Sequence, residues 1–153
     1  MFDEVLGLPA HPLVVHGAVV LTPLLVAVAV AYALVPRWRA ATAWAVVLLS
    51  LLAPAAVYAA WQSGQSLKAA RFATAGGELG RRIADHEAHA VPLLIACGGL
   101  GLVSLVLVYA SRGDRFGKPV TIVLSGLTVV LAAVTAYFVF LSGDSGARAV
   151  WEL

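Results

Sequence analysis

Four histidines, His11, His16, His86 and His89, are the only imidazoles in this chain of 153 residues, and each falls where a long apolar run begins. Two stand at the start of the first run and two at the start of the third. Imidazole is the commonest nitrogen ligand for protein-bound metals. An ionisable or ligating side chain at membrane depth is costly enough to mark a functional site by default. At 100° per residue, His86 and His89 lie about 60° apart on one helical face. His11 precedes Pro12 and belongs at or before a helix N-terminus, whereas His16 lies one turn deeper. His16 and His89 are therefore the pair expected to face each other across a bundle, with His11 and His86 as neighbours or alternative ligands. Two imidazoles on facing helices would suit a six-coordinate b-type haem; three or four together would instead hold zinc or copper. Each histidine taken alone is better explained as a polar tip kept wet at a membrane interface or bound to a helix end. It is their convergence that points to a ligand.

The string His86-Glu87-Ala88-His89 is not a zincin motif, which needs its histidines at i and i+4 with the glutamate between them. Asp85 and Glu87 are expected to cap the third helix and offset its dipole, or to orient a ligating imidazole. No catalytic residues stand out.

Composition determines what positions these side chains. Apolar residues make up 61% of the chain and charged residues 12%, against about 25% charged in soluble domains; mean hydropathy is +0.94. Four apolar runs, at about 12–35, 40–61, 88–110 and 119–142, are long enough to cross a hydrocarbon core of about 30 Å. The expected fold is all-α, one integral membrane four-helix bundle occupying residues 1–153 as a single domain, with no room for a separate soluble catalytic domain. The first run is flanked by Asp3 and Glu4 rather than the Lys or Arg of a cleavable signal. A pI near 9.0 does not imply nucleic-acid binding, because the basic residues sit in short loops beside the spans, where orientation accounts for them. Cys97, alone and inside the third run, excludes a disulfide framework and a C-x-x-C-H haem attachment site. It reads as a small buried apolar residue.

Arg37 and Arg39 in the first short loop, and Arg112, Arg115 and Lys118 in the third, place those loops in the cytoplasm and both termini outside. Trp38, Trp44, Tyr109 and Phe116 then mark one interface, and Tyr58, Trp61, Tyr137 and Trp151 the other. Pro12 and Pro119 suit first-turn positions, while Pro23, Pro54 and Pro92 should kink their helices. In the middle connection, Gly76-Gly77 should separate a short interfacial piece near Ser66 to Thr74 from a second one carrying Leu79 and Ile83. The second piece could run straight into the third span. Gly143, Gly146 and Ala147 should end the fourth helix.

An internal repeat is visible. Tyr58 is followed by Ser63-Gly64-Gln65-Ser66, and Tyr137 by Ser142-Gly143-Asp144-Ser145, at identical spacing. Each half also opens with two histidines and a proline. Two helical hairpins repeated in parallel would share a pseudo-two-fold axis along the membrane normal, and each would offer histidines to one site near that axis.

The opening His11-Pro12-Leu-Val-Val-His16, with Ser63-Gly64 and Gly143-Asp144-Ser145-Gly146-Ala147, resembles the bacterial DUF2231 membrane proteins, a four-span group typified by a His-Pro-x-x-x-His core. This chain departs from the pattern in having Gly17-Ala18 after its second histidine, where Phe-Pro is usual. Asp144 stands where the final motif often has a histidine. Relatives are similar to, and sometimes fused with, redox modules, so the resemblance implies haem or another redox metal. It also implies residence in a bacterial inner (plasma) membrane. The expected function is thus b-type haem binding at the extracytoplasmic face and membrane electron transfer, within the lipid bilayer, with a redox partner protein and a homo-oligomer as candidate associations. The alternatives are a non-catalytic accessory or scaffold subunit without a cofactor, and a zinc or copper binding or transport component.

The topology generates a labelling result. An impermeant thiol reagent added from outside is expected to modify Ser66→Cys and to spare Ser111→Cys; the reverse pattern would overturn the assignment.

Overall fold

A computed structural model describes residues 4–5, 7–113 and 115–151 of the chain; Asp3 of the acidic N-terminal flank lies outside them. A two-residue ladder pairs β1 (Glu4–Val5) antiparallel with β2 (Leu8–Pro9) around Gly7, whose φ of 80° suits a residue without Cβ. Five helices follow: α1 (Ala10–Leu34), α2 (Arg39–Arg71), α3 (Gly77–Ala88), α4 (Ala90–Ser111) and α5 (Gly117–Trp151). A 3-10 turn at Pro36–Trp38 joins α1 to α2. Four of these helical segments are long and apolar enough to cross a membrane, α3 and α4 counting as one. The protein is an all-α, four-span membrane bundle.

The long helices form a closed square in which α1 packs on α2, α2 on α4, α4 on α5 and α5 on α1, with few contacts across the diagonals. Leucine, valine and isoleucine cover both the inner and outer faces, so the outer ones, such as Ile95, Leu102, Ile122 and Val123, are exposed. That is the pattern of helices whose outer face meets lipid. Burial selects a narrow stripe on each helix. On α1 the stripe runs Ala18, Thr22, Leu25, Ala29, Tyr32, Ala33; on α4 the stripe includes Leu93, Cys97, Leu100, Ser104, Leu107, Val108. The two series superpose residue for residue at a constant offset of 75 (93 − 18). Buried Val46, Ser50 and Ala53 of α2 match buried Thr128, Ala132 and Thr135 of α5 at an offset of 82 (128 − 46). The halves are therefore repeated hairpins, and the seven-residue difference between offsets is extra chain at the α4–α5 bend, most of it helical. α4 runs on to Ser111 and α5 starts at Gly117, so the turn at 112–116 is only one residue longer than the turn at 35–38 between α1 and α2. The register differs from the one expected by one helical turn: Ser63-Gly64 corresponds to Ser145-Gly146, not to Ser142-Gly143. Matching the Tyr and Ser-Gly-x-Ser strings followed letters, whereas burial follows the face turned to the axis.

Helix ends also depart from expectation. α2 continues unbroken to Arg71, and the separate interfacial piece expected from Ser66 is its last turns. The break at Gly76-Gly77 is present, with Gly77 at φ 63°. α3 meets α4 at His89, which keeps helical dihedrals (φ −87°, ψ −15°). Pro92 is the third residue of α4 and costs no hydrogen bond there. α5 runs through Gly143 and Gly146 to Trp151, which puts Trp151 about 21 Å along the axis from Tyr137 at 1.5 Å per residue; these two aromatics cannot mark one interface. The extensions are held by polar contacts instead. Lys68 and Gln65 of α2 both bond the Glu87 carboxylate, Arg82 donates to the Arg148 carbonyl at 3.0 Å, and Arg148 pairs with Asp144 at 2.8 Å.

The two halves approach closely at Gly101. A Cβ there would stand 2.7 Å from the Ser50 carbonyl oxygen and 3.5 Å from Pro54 Cγ. Pro54 lacks the N–H that would bond Ser50 O within the helix, and the bare Cα of Gly101 faces that carbonyl. Gly101→Ala is expected to force α2 from α4 and cost about 1–3 kcal/mol. Gly98→Ala, whose Cβ would meet nothing within 4 Å, should be tolerated. Thermal unfolding in detergent compares them, and equal stability of the two variants would contradict the packing described.

Candidate functional site

His11 is the second residue of α1, and the β1–β2 turn and Pro9 deliver it beside the far end of α2. Its Nδ1 lies 3.0 Å from Ala60 O and 3.1 Å from Ser63 Oγ, and the Ser63 hydroxyl itself donates to Ala60 O at 2.9 Å. A carbonyl can only accept, so Nδ1 carries the hydrogen and Nε2 keeps its lone pair. The ring lies against Gly64, where a Cβ would come within 3.2 Å of His11 Cε1.

His86, in the last turn of α3, repeats this arrangement against α5. Its Nδ1 lies 3.2 Å from Ser145 Oγ, the Ser145 hydroxyl donates to Ser142 O at 3.2 Å, and the His86 ring also meets the Ser142 backbone. A Cβ on Gly146 would come within 3.0 Å of His86 Cε1. The partners of His11 are thus reproduced at the positions that the axis relates: Ala60 by Ser142, Ser63 by Ser145, Gly64 by Gly146. Across the axis the two imidazoles stand edge to face, ring centroids 6.3 Å apart and planes at 68°. Both are half-buried.

The other two histidines stand apart from this symmetry. His16 is exposed on α1, its Nδ1–H turned back to Pro12 O at 2.5 Å, so the observed ring contact is between His11 and His86 and not between His16 and His89. His89 occupies the α3–α4 junction close to His86, and its Nδ1 is buried without a hydrogen-bond partner. Glu87 is spent on Lys68 and Gln65 rather than on an imidazole or a cap, and Asp85 is exposed. Among the described residues, no three His, Cys, Asp or Glu side chains converge as a metal site would require. Cys97 is fully buried within the bundle.

Sequence reasoning named the four histidines but missed their supports. Ser63 and Gly64 were visible in the Ser-Gly-x-Ser repeat, Ser145 only as the last serine of its second copy and Gly146 only as an expected helix terminator, and the two backbone acceptors carry no signal in residue type. A family model described as "Predicted membrane protein (DUF2231)" matches residues 7–153, and the chain belongs to this family. No curated protein and no solved structure matches it.

The tether between imidazole and serine is measurable as a coupling. Ser63→Ala is expected to lower stability by about 0.5–1.5 kcal/mol when His11 is present, and by much less in a His11→Ala background. Ser145→Ala should behave likewise with His86. Equal costs in both backgrounds would show that the serines act independently of the rings.

Proposed function

We propose that this membrane protein holds a b-type haem between His11 and His86 and passes electrons at that end of the bundle. The observation that carries the reading is the symmetry of the pair: one imidazole from each half, each fixed through Nδ1 to a backbone carbonyl or serine, each with Nε2 left to bind. A hydrogen-bonded Nδ1–H is how proteins orient a ligating histidine and raise its basicity. The 6.3 Å centroid separation is comparable to the roughly 6 Å that two metal–nitrogen bonds of about 2.0–2.1 Å imply, and ligation requires the ring that now presents its face to turn its Nε2 inward. The number of donors also favours haem over bare zinc, since porphyrin iron asks the protein for axial ligands only, whereas zinc takes three or four protein ligands. His11 and His86 thereby take the place first given to His16 and His89, and His89 becomes a neighbour of His86 with an Nδ1 unpaired among the described residues. The haem would supply the one-electron chemistry; the chain supplies two oriented nitrogens and an apolar surround. The extracytoplasmic location, the bacterial inner membrane and a redox partner docking on the polar ends of α2, α3 and α5 belong to the same proposal.

A second reading is favoured by the same hydrogen bonds. His11 ties the first turn of α1 to α2 and His86 ties the last turn of α3 to α5, so the pair would also serve a cofactor-free scaffold as a latch.

An absorption spectrum of gently purified protein separates the two. Haem ligation predicts a Soret band that His11→Ala and His86→Ala each abolish and His16→Ala preserves. Colourless, metal-free protein with stability lost in the same two variants would leave the latch alone.

A further inference from the structure

At the end of the bundle away from the histidines, a cavity of about 550 Å³ opens between the α1–α2 turn and the end of α4. Its walls include Tyr32, Arg39, Ala40, Ala43, Ser111 and Arg112. Arg39 donates through Nε to Tyr32 O at 3.1 Å, and through Nη2 to Ala33 O at 3.3 Å and Ser125 Oγ at 3.5 Å, with its guanidinium 5.6 Å from the Tyr32 ring. These bonds fix the side chain yet leave both Nη1 hydrogens without a partner among the described residues, out of the five donors a guanidinium has. Arg112, the residue after α4, is exposed on the other wall and makes no ion pair or hydrogen bond among the described residues. Among the described residues, no carboxylate lines the cavity. The Tyr32 and Ser111 hydroxyls, bonded to each other at 2.7 Å, complete its polar surface.

We propose that this cavity binds the phosphodiester headgroup of an anionic phospholipid, with Arg39 and Arg112 as its two cationic contacts. Uncompensated guanidiniums held around one space are suited to phosphate oxygens, which they meet through paired, charge-assisted hydrogen bonds. Basic pockets between the ends of membrane helices take lipid headgroups on the same principle. The depth agrees with a lipid source: the exposed aromatics Trp38, Trp44 and Tyr109 surround this end, which places it at headgroup level. Leu34 and Trp44, sequence neighbours of the lining residues, present exposed apolar surface to the acyl chains. The inference is independent of what the histidines bind and of which face is cytoplasmic.

Purified full-length protein in detergent is titrated with phosphatidylglycerol, phosphatidylcholine and inorganic phosphate, following Tm and lipid retention by native mass spectrometry. Phosphatidylglycerol is expected to bind and raise Tm above phosphatidylcholine. Arg112→Gln, an exposed change that spares the Arg39 bonds, should weaken phosphatidylglycerol binding about tenfold or more. Arg37→Gln removes the same charge from the neighbouring loop outside the cavity and should change binding little. Equal binding of the two lipids would overturn the proposal, as would equal losses in the two variants, the mark of diffuse surface charge. Stabilisation by inorganic phosphate matching that by the lipid would assign the site to a free anion and overturn it too.

Discussion

Hydrocarbon supplies no hydrogen bonds, so every backbone group carried to its edge must find a partner in the protein, and the polar side chains of this bundle are placed where the helices cannot satisfy themselves. The last carbonyls of a helix have no intrahelical donors, and Arg39 reaches back to two of them, Tyr32 O and Ala33 O. Thr128 and Thr135 return their hydroxyls to Leu124 O and Leu131 O one turn earlier. At Pro54 the missing donor leaves Ser50 O bare, and the sequence answers with a glycine on the facing helix. His11 and His86 fall under the same rule: each imidazole adds a donor near the end of a span whose helix continues into the polar region.

Satisfaction is incomplete at a few places. The hydroxyls of Ser50 and Ser104 and the Nδ1 of His89 are buried with no partner. Buried polar groups without partners are rare enough in folded proteins that each asks for an explanation. His89 lies beside His86 and shares that end of the bundle with the histidine pair. For the two serines, on facing stripes of α2 and α4, the structure offers no account beyond their small size.

The spans were legible because apolar runs of about 20 residues are set by membrane thickness, which leaves little freedom in reading them. Helix ends were not, because Gly143 and Gly146 carry the residue type of a terminator while serving inside α5. Gly146 yields the space that the His86 ring fills. The repeat was legible in outline and misread in register: identical letters at Tyr58 and Tyr137 outweighed the burial stripe, which is invisible when both faces of a helix are apolar. The histidines were found, but composition made all four equal. Under the repeat, His16 corresponds to Val91 and His89 to Val14, so only His11 and His86 are true counterparts. No residue-level pattern ranks them; the ranking comes from carbonyl oxygens of two other helices.

The seven additional residues of the second hairpin, most of them in the facing ends of α4 and α5, carry a consequence for how this protein is made. A two-span hairpin returns the chain to the side from which it started, so copying it in tandem preserves orientation without any change in the connecting segment's sidedness. The parity of the unit, and not charge adjustment in the second half, is what brings both copies of the histidine to one surface. A unit with an odd number of spans would have inserted its copy upside down and left the two imidazoles a membrane's width apart. Lengthening the hairpin within one copy leaves that parity untouched, which is why the two bends were free to diverge while the ends that meet at the axis kept their common pattern.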